Sequence, residues 1–241
     1  MSLILSIEGN IGAGKSTLLK NLTNLTLDNC KSQIPFRTII FLQEPVDLWG
    51  DIKDTSGETI LEKFYKDPEK YAFSFQMMAY ISRLDILKTT VEKNPNSIII
   101  CERSIWTDKN IFAKMLADEG KINEIEELIY HKWFDSLSKN FQLDGTVYLK
   151  TTPEVCQQRV IKRNRKGEDI PLDYLKRCDL YHDKWLNGVE NKIELDGNKD
   201  SGDVSKEFVI SISEFIVKQY NKKYPNDFEV DLSNIHEKIH C

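Results

Sequence analysis

The sequence predicts an α/β fold: a five-stranded parallel sheet with helices on both faces. Three observations predict it. Five short apolar runs alternate with stretches of helical spacing, the pattern of a parallel sheet covered on both sides. A glycine-rich run stands between the first strand and the first helix. No internal repeat or long linker divides the 241 residues, so one domain is expected over 1–221, with 222–241 as a tail of weak order.

Taken in order, Leu3-Ile4-Leu5-Ser6-Ile7 reads as a buried strand. Gly9-Asn10-Ile11-Gly12-Ala13-Gly14-Lys15-Ser16 follows and fits a glycine, four residues, then Gly-Lys-Ser. Such glycines let several N–H groups point at one anion, and the start of the next helix adds its positive dipole end. Lys15 can reach outer phosphates, and the Ser16 hydroxyl can take a Mg²⁺ site. The helix runs from about 15 to 27. The second strand is Thr38–Leu42. Ligands in open parallel sheets sit beyond the carboxyl ends of strands, so Glu44 is a candidate base, against the alternative of a surface glutamate before a turn.

A helix over 71–93 carries two stripes. Met77, Ile81, Leu84 and Val91 have core spacing. Gln76, Ala79 or Tyr80, and Arg83 form a second stripe able to hydrogen-bond a planar polar ligand. The third strand, Ser97–Cys101, ends in Glu102-Arg103-Ser104. Glu102 can hold Mg²⁺ through water and Arg103 can neutralise a transferring phosphoryl group, against a plain strand-end ion pair. A helix over 104–119 offers Asp108 and Phe112 on one face. Whether these residues join the Gln76–Arg83 stripe depends on the fold bringing the two helices together.

A helix over 122–139 leads to the fourth strand, Thr146–Leu149, and a helix over 153–164. There Arg159 and Arg163 share a face and Arg165 falls near the end. Arginines at this spacing are either a solvated helix face or, over about 159–170, a lid closing on phosphate. A helix over 171–187, a fifth strand at Lys192–Leu195 and a helix over 203–221 complete the pattern.

Composition narrows the class. A net charge of −5 gives no global basic surface, so nucleic acid is not expected as a partner. No apolar run reaches membrane length. The five cysteines, Cys30, Cys101, Cys156, Cys178 and Cys241, are scattered without CxxC pairs, which favours a reducing compartment and neither zinc nor disulfides. With the first strand beginning at about residue 3, no signal or transit peptide is expected and the protein is expected to be cytoplasmic.

At this point the motifs identify a resemblance. Ile7-Glu8-Gly9-Asn10-Ile11-Gly12-Ala13-Gly14-Lys15-Ser16-Thr17, Glu44-Pro45-Val46 with Trp49, Tyr65 followed by Pro68-Glu69 and Phe73-Ser74-Phe75-Gln76, Glu102-Arg103-Ser104, Arg159 with Arg163 and Arg165, and Ile170-Pro171-Leu172-Asp173-Tyr174-Leu175 with His182 and Trp185 resemble the deoxyribonucleoside kinases over about 3–200. The resemblance implies a P-loop kinase fold, ATP as phosphate donor and Mg²⁺ held at Ser16 and Glu102. It implies residues 9–17 and the lid arginines around ATP, and Glu44 taking the proton of a nucleoside 5′-hydroxyl that Arg103 holds. It places Trp49, Tyr65, Phe75, Gln76, Arg83, Asp108, Phe112 and Glu168 at the nucleoside. Phe75 and Phe112 would sandwich the base, Gln76 would read its edge, and Tyr65 and Glu168 would bind the 3′-hydroxyl.

Ala79, Arg83 and Asp108 resemble the deoxycytidine and deoxyguanosine branch, so deoxycytidine and purine deoxynucleosides are expected over thymidine. The lid loop is one residue shorter than in most relatives, which makes Asp169 the competitor of Glu168. Gly12 stands where some relatives carry alanine, a change expected to be without consequence. Asp196-Gly197-Asn198 resembles the loop that packs on adenine. Relatives pair as dimers, so a homodimer through helices 71–93 and 104–139 is expected. A monophosphate kinase would need a basic acceptor pocket instead of an aromatic one, and a non-catalytic binding subunit could dispense with Glu44 and the lid.

Overall fold

The structure is a computed structural model that describes residues 2–29, 37–165, 168–199, 206–225 and 227. Five parallel strands lie in the order β2-β3-β1-β4-β5: β1 Leu3–Glu8, β2 Ile39–Leu42, β3 Ile98–Glu102, β4 Gly145–Lys150 and β5 Lys192–Asp196. The strand β1 sits centrally, in register Leu5↔Ile100 with β3 and Leu5↔Gly145 with β4. Its chain leaves toward one edge of the sheet, whereas the chains of β3 and β4 leave toward the other. A crevice therefore opens at the carboxyl end of β1, where the glycine-rich loop lies.

The alternation along β1 builds two cores. Leu3, Leu5 and Ile7 face a layer that includes Leu18, Leu19 and Leu22 of α1 (Lys15–Asn29) and Val209, Ile212 and Ile216 of α10 (Lys206–Lys223). Ile4 and Ile99 point the other way, toward Leu87 of α4 (Pro68–Lys93). A third cluster lies beyond the sheet. Phe64 of α3 (Ile60–Lys66), Phe75 and Tyr80 of α4, and Tyr130 and Phe134 of α7 (Glu124–Leu137) pack there with Trp49 of α2 (Val46–Asp51). The remaining helices are α5 (Ile105–Thr107), which runs through a π-helical segment at Asp108–Ala113 into α6 (Lys114–Asp118), then α8 (Pro153–Arg163) and α9 (Leu172–Leu186).

Several expectations need correction. The helices α2 and α3 were not expected, although Thr59 and Glu62 form a capping box with both reciprocal hydrogen bonds present. The helix expected over 104–119 is interrupted by the π segment. Of the four core-spaced residues of α4, Leu84 is buried, Met77 and Val91 are half-buried and Ile81 is 46% exposed. Ile81 lies on the outward face of α4, a distinction its spacing alone could not make. The last helix continues to Lys223, and Arg37 ties the segment after it to the turn before β3. Arg37 donates to Asp227 at 2.8 Å and to the Asn96 carbonyl at 2.9 Å, with its guanidinium 4.0 Å above the Tyr224 ring. A tail therefore cannot begin at 222. Residues 228–241 lie outside the described residues, as do Lys166 and Gly167 of the expected lid.

Candidate active site

The loop after β1 is shaped by its glycines. Gly12 has φ +81, and a Cβ there would stand 2.4 Å from the Cys156 carbonyl oxygen and 3.0 Å from Val160 Cγ2. A backbone oxygen on a helix cannot yield, so alanine here is not the neutral change expected from relatives. Gly12→Ala is expected to cost about 1–3 kcal/mol of stability and to weaken nucleotide binding. Thermal melts with and without ATP check this; an unshifted melting temperature would refute it.

Below the loop, Lys15 Nζ donates to the Asn10 carbonyl at 2.8 Å and the Gly9 carbonyl at 3.1 Å. Burial, then the charge of Arg103, lowers its pKa to about 7, although Glu44 and Glu102 act in the opposite sense. Gly9 and Asn10 themselves do not line the cavity. The Asn10 amide is turned inward, donating to the Leu175 carbonyl at 2.8 Å and accepting from Ile11 N–H at 2.8 Å. The Ser16 hydroxyl donates to Glu102 Oε1 at 2.5 Å.

These donors open onto a cavity of about 930 Å³. Residues 11–17, Glu44, Trp49, Tyr65, Phe75, Gln76, Arg83, Glu102, Arg103, Asp108, Phe112, Arg159, Arg163, Arg165 and Glu168 all line it. The fold thus brings together, around one cavity, residues that the chain scatters from Ile11 to Glu168. It also adds Phe64, which sequence reasoning missed. Its ring stacks on Phe75 at 4.8 Å and 17°, while Trp49 meets Phe75 edge-on at 5.4 Å. Trp49 is pinned in turn by Nε1 donating to Ser82 at 2.9 Å. Glu168 lines the cavity, whereas Asp169 is exposed and does not. His182 is buried, with Nδ1 2.7 Å from the Cys178 carbonyl, and has no place in the wall.

The polar centre is a set of four charges. Arg83 bonds Asp108 through Nε at 2.9 Å and Nη2 at 3.3 Å, bonds Glu44 through Nη2 at 3.0 Å, and reaches the Glu102 carbonyl at 3.3 Å. The Nε of Arg103 lies 3.3 Å from Glu44 Oε1. Burial alone would raise the pKa of Glu44, but Arg83, Arg103 and Lys15 outweigh it and hold it at about 2. Glu44 is therefore ionised at neutral pH. Asp108, 1% exposed, is pushed up by burial against the pull of Arg83.

Arg103 occupies the left-handed region at φ +61, a strained conformation for a non-glycine residue. A buried carboxylate helps fix that turn: Glu8 accepts from Ser104 at 2.8 Å and Thr107 at 2.5 Å. Glu8 was read only as part of the loop motif, because nothing local marks it as the support for side chains 96 and 99 residues away.

Two buried groups on this wall lack partners among the described residues, Arg103 Nη1 and Gln76 Oε1. Such orphans cost about 1–3 kcal/mol each unless a ligand satisfies them. They suit an oxyanion and a planar amide edge.

The three arginines expected in a lid differ from one another. Arg159 donates to the carbonyls of Ala13 at 3.0 Å, Gly197 at 2.8 Å and Lys199 at 3.0 Å, joining the phosphate loop to the loop after β5. Arg163 pairs with Glu168 through Nε at 2.7 Å and also through Nη2, and Arg165 lies 3.9 Å from the same carboxylate. Burial, then the negative charge of Glu168, raises the pKa of Tyr65.

A glycine-rich loop between the central strand and a helix, with a lysine and a serine at the helix start and a buried carboxylate–arginine set across the cavity, defines a P-loop phosphotransferase. Comparison with known proteins gives the family. Residues 5–218 match the family described as deoxynucleoside kinase. A fowlpox virus (strain NVSL) protein named a probable deoxycytidine kinase is 36% identical over 229 residues, covering 90% of this chain and 89% of the relative. The mitochondrial deoxyguanosine kinase of Xenopus laevis is 34% identical over 215 residues, covering 81% and 77%. The deoxycytidine kinase of Homo sapiens is 32% identical over 244 residues, covering 88% and 90%. The chain belongs to the deoxynucleoside kinase family and is a nucleoside kinase, taking its phosphoryl group from a nucleotide. Among the described residues no helix is long and apolar enough to cross a membrane.

Proposed function

We propose that the protein transfers the γ-phosphoryl group of ATP to the 5′-hydroxyl of a deoxynucleoside, with Glu44 as general base. The observation that carries this reading is the placement of Glu44. Its carboxylate stands between Arg83 and Arg103 on the wall of the cavity that Lys15 and Ser16 also line. A hydroxyl is a weak nucleophile, and a positioned carboxylate is the least chemistry its activation requires. Arg103 offers a free, buried Nη1 to the developing charge. The phosphates lie along residues 11–17, with Lys15 moving from the loop carbonyls to the outer phosphate. Arg159, Arg163 and Arg165 close the donor side.

The fit of a divalent cation rests on Ser16 and Glu102, a hydroxyl and a carboxylate already in contact. Among the described residues no group of three His, Cys, Asp or Glu side chains forms a ready cage. That suits Mg²⁺, which takes few protein ligands and completes its shell with phosphate and water. Bound there, Mg²⁺ would neutralise charge on the phosphates.

The nucleoside base fits between Phe75 and Phe112, with Gln76 at its edge and Trp49 behind, and Tyr65 and Glu168 at the sugar. The Arg83–Asp108 pair beside Ala79 makes the far end polar and charged, a poor place for the thymine methyl. Deoxycytidine, deoxyguanosine and deoxyadenosine are therefore expected to exceed thymidine in kcat/KM by at least tenfold. A four-nucleoside panel tests this: thymidine as the best substrate rejects the specificity, and no turnover of any nucleoside rejects the activity.

The reading includes a homodimer. The helix α7 exposes Ile125, Leu128, Ile129, Trp133 and Leu137 on one helical stripe, and the neighbouring α4 exposes Ile81. Sedimentation is expected to show a dimer that Leu128→Glu with Trp133→Glu converts to a folded monomer; a wild-type monomer would refute it. Buried free thiols at Cys101, Cys156 and Cys178 support a reducing compartment, the cytoplasm.

A further inference from the structure

Arginine has five N–H donors in one rigid plane. In Arg83 four are in use: Nε and one on Nη2 for Asp108, the second on Nη2 for Glu44, and one on Nη1 for the Glu102 carbonyl. Arg83 is 7% exposed and Asp108 1%. The guanidinium therefore has a single donor left for any ligand. It spends the others bridging the carboxylate at the base end of the cavity to the carboxylate at the phosphoryl end. Asp108 and Glu44 meet the same nitrogen from two sides.

The geometry points to Arg83 as a coupling strut: the state of Asp108 at the nucleoside base sets how Glu44 is held at the 5′-hydroxyl, so that base preference is expressed in turnover. The physical reason is the rigidity of the fork. Both oxygens of Asp108 accept from one edge of the plane, so a base edge that engages Asp108 tilts the whole group. The Nη2 hydrogen on Glu44 moves with it. Asp108 also competes with Glu44 for the same positive charge. If Asp108 is neutralised, that charge falls more fully on Glu44, which becomes a poorer base. This inference rests on the reading of Glu44 as base and deepens it. It makes Arg83 a positioning residue that acts through Glu44.

A double-mutant cycle between Asp108→Asn and Glu44→Asp, read in kcat with deoxycytidine and saturating ATP, tests the strut. A coupling of at least tenfold, about 1.4 kcal/mol, is expected between these two groups although they make no hydrogen bond with each other. Asp108→Asn alone is expected to lower kcat by a larger factor than it raises nucleoside KM. The cycle is then repeated on Arg83→Lys, which keeps the charge but cannot bridge two carboxylates, and on Arg83→Gln in case the lysine variant does not fold. In either background the coupling is expected to fall below twofold. Unit coupling with Arg83 present, or undiminished coupling without it, overturns the strut. Undiminished turnover by Glu44→Gln would instead overturn the assignment of the base, so the two failures are told apart.

Discussion

Glu44→Gln is expected to lower kcat by about 10²–10⁴-fold while leaving nucleoside binding within about tenfold. The glutamine keeps the shape of the side chain and an oxygen for Arg83 and Arg103, so the pocket should survive. It removes the charge that draws the proton from the 5′-hydroxyl. The held pKa of about 2 sharpens the test. The carboxylate stays ionised throughout the range in which the enzyme can be assayed, so the wild-type rate should show no acidic limb from Glu44 between pH 5 and 8. Steady-state kinetics and equilibrium binding on the same preparation check both halves. A variant that binds nucleoside and still turns over at wild-type rate would remove Glu44 from the mechanism.

Phosphate binding is expected to draw a proton onto Lys15. In the ligand-free cavity burial lowers this amine to about 7, well below an ordinary lysine near 10.4. An outer phosphate beside it favours the ammonium and raises the value again. Between pH 7 and about 10 the complex then holds more protons than the free enzyme. ATP binding at pH 8 should therefore take up close to one proton, the uptake should shrink toward pH 6, and affinity should fall as pH rises through that window. Calorimetry in buffers of different ionisation enthalpy measures the uptake. Lys15→Met should abolish it and lower kcat/KM by about 10²–10³-fold or more. Proton release, or uptake unchanged in Lys15→Met, would show that the amine is charged before phosphate arrives.

Much of the site could be read in one dimension because its parts are local. The glycine spacing before Lys15-Ser16 needs only neighbours to form a cradle, and Glu44 and Glu102 are marked by lying at or just beyond the end of an apolar run. Phe64 was missed because an aromatic residue at helical spacing looks like any core residue; only its stack on Phe75 places it at the cavity. Glu8 was missed as a support because Ser104 and Thr107 reach it from the start of α5, beyond the end of another strand. The expectation for the lid was too uniform. Arg159 turned out to hold backbone carbonyls and Arg163 to pair with Glu168, a division that depends on where α8 ends, at Asn164 in the left-handed region.

Hydrophobic alternation and turn chemistry determined the layered α/β fold, the position of the phosphate loop and the identity of the residues at the ends of the strands. Both act between residues close in the chain, so the sequence alone carries them. Packing decided which face of α4 turns outward, that the chain takes an extra residue per turn at Asp108, and that Arg83 joins Glu44 to Asp108. Those contacts span 25 and 39 positions, and no local pattern encodes a distance that exists only once the helices have met.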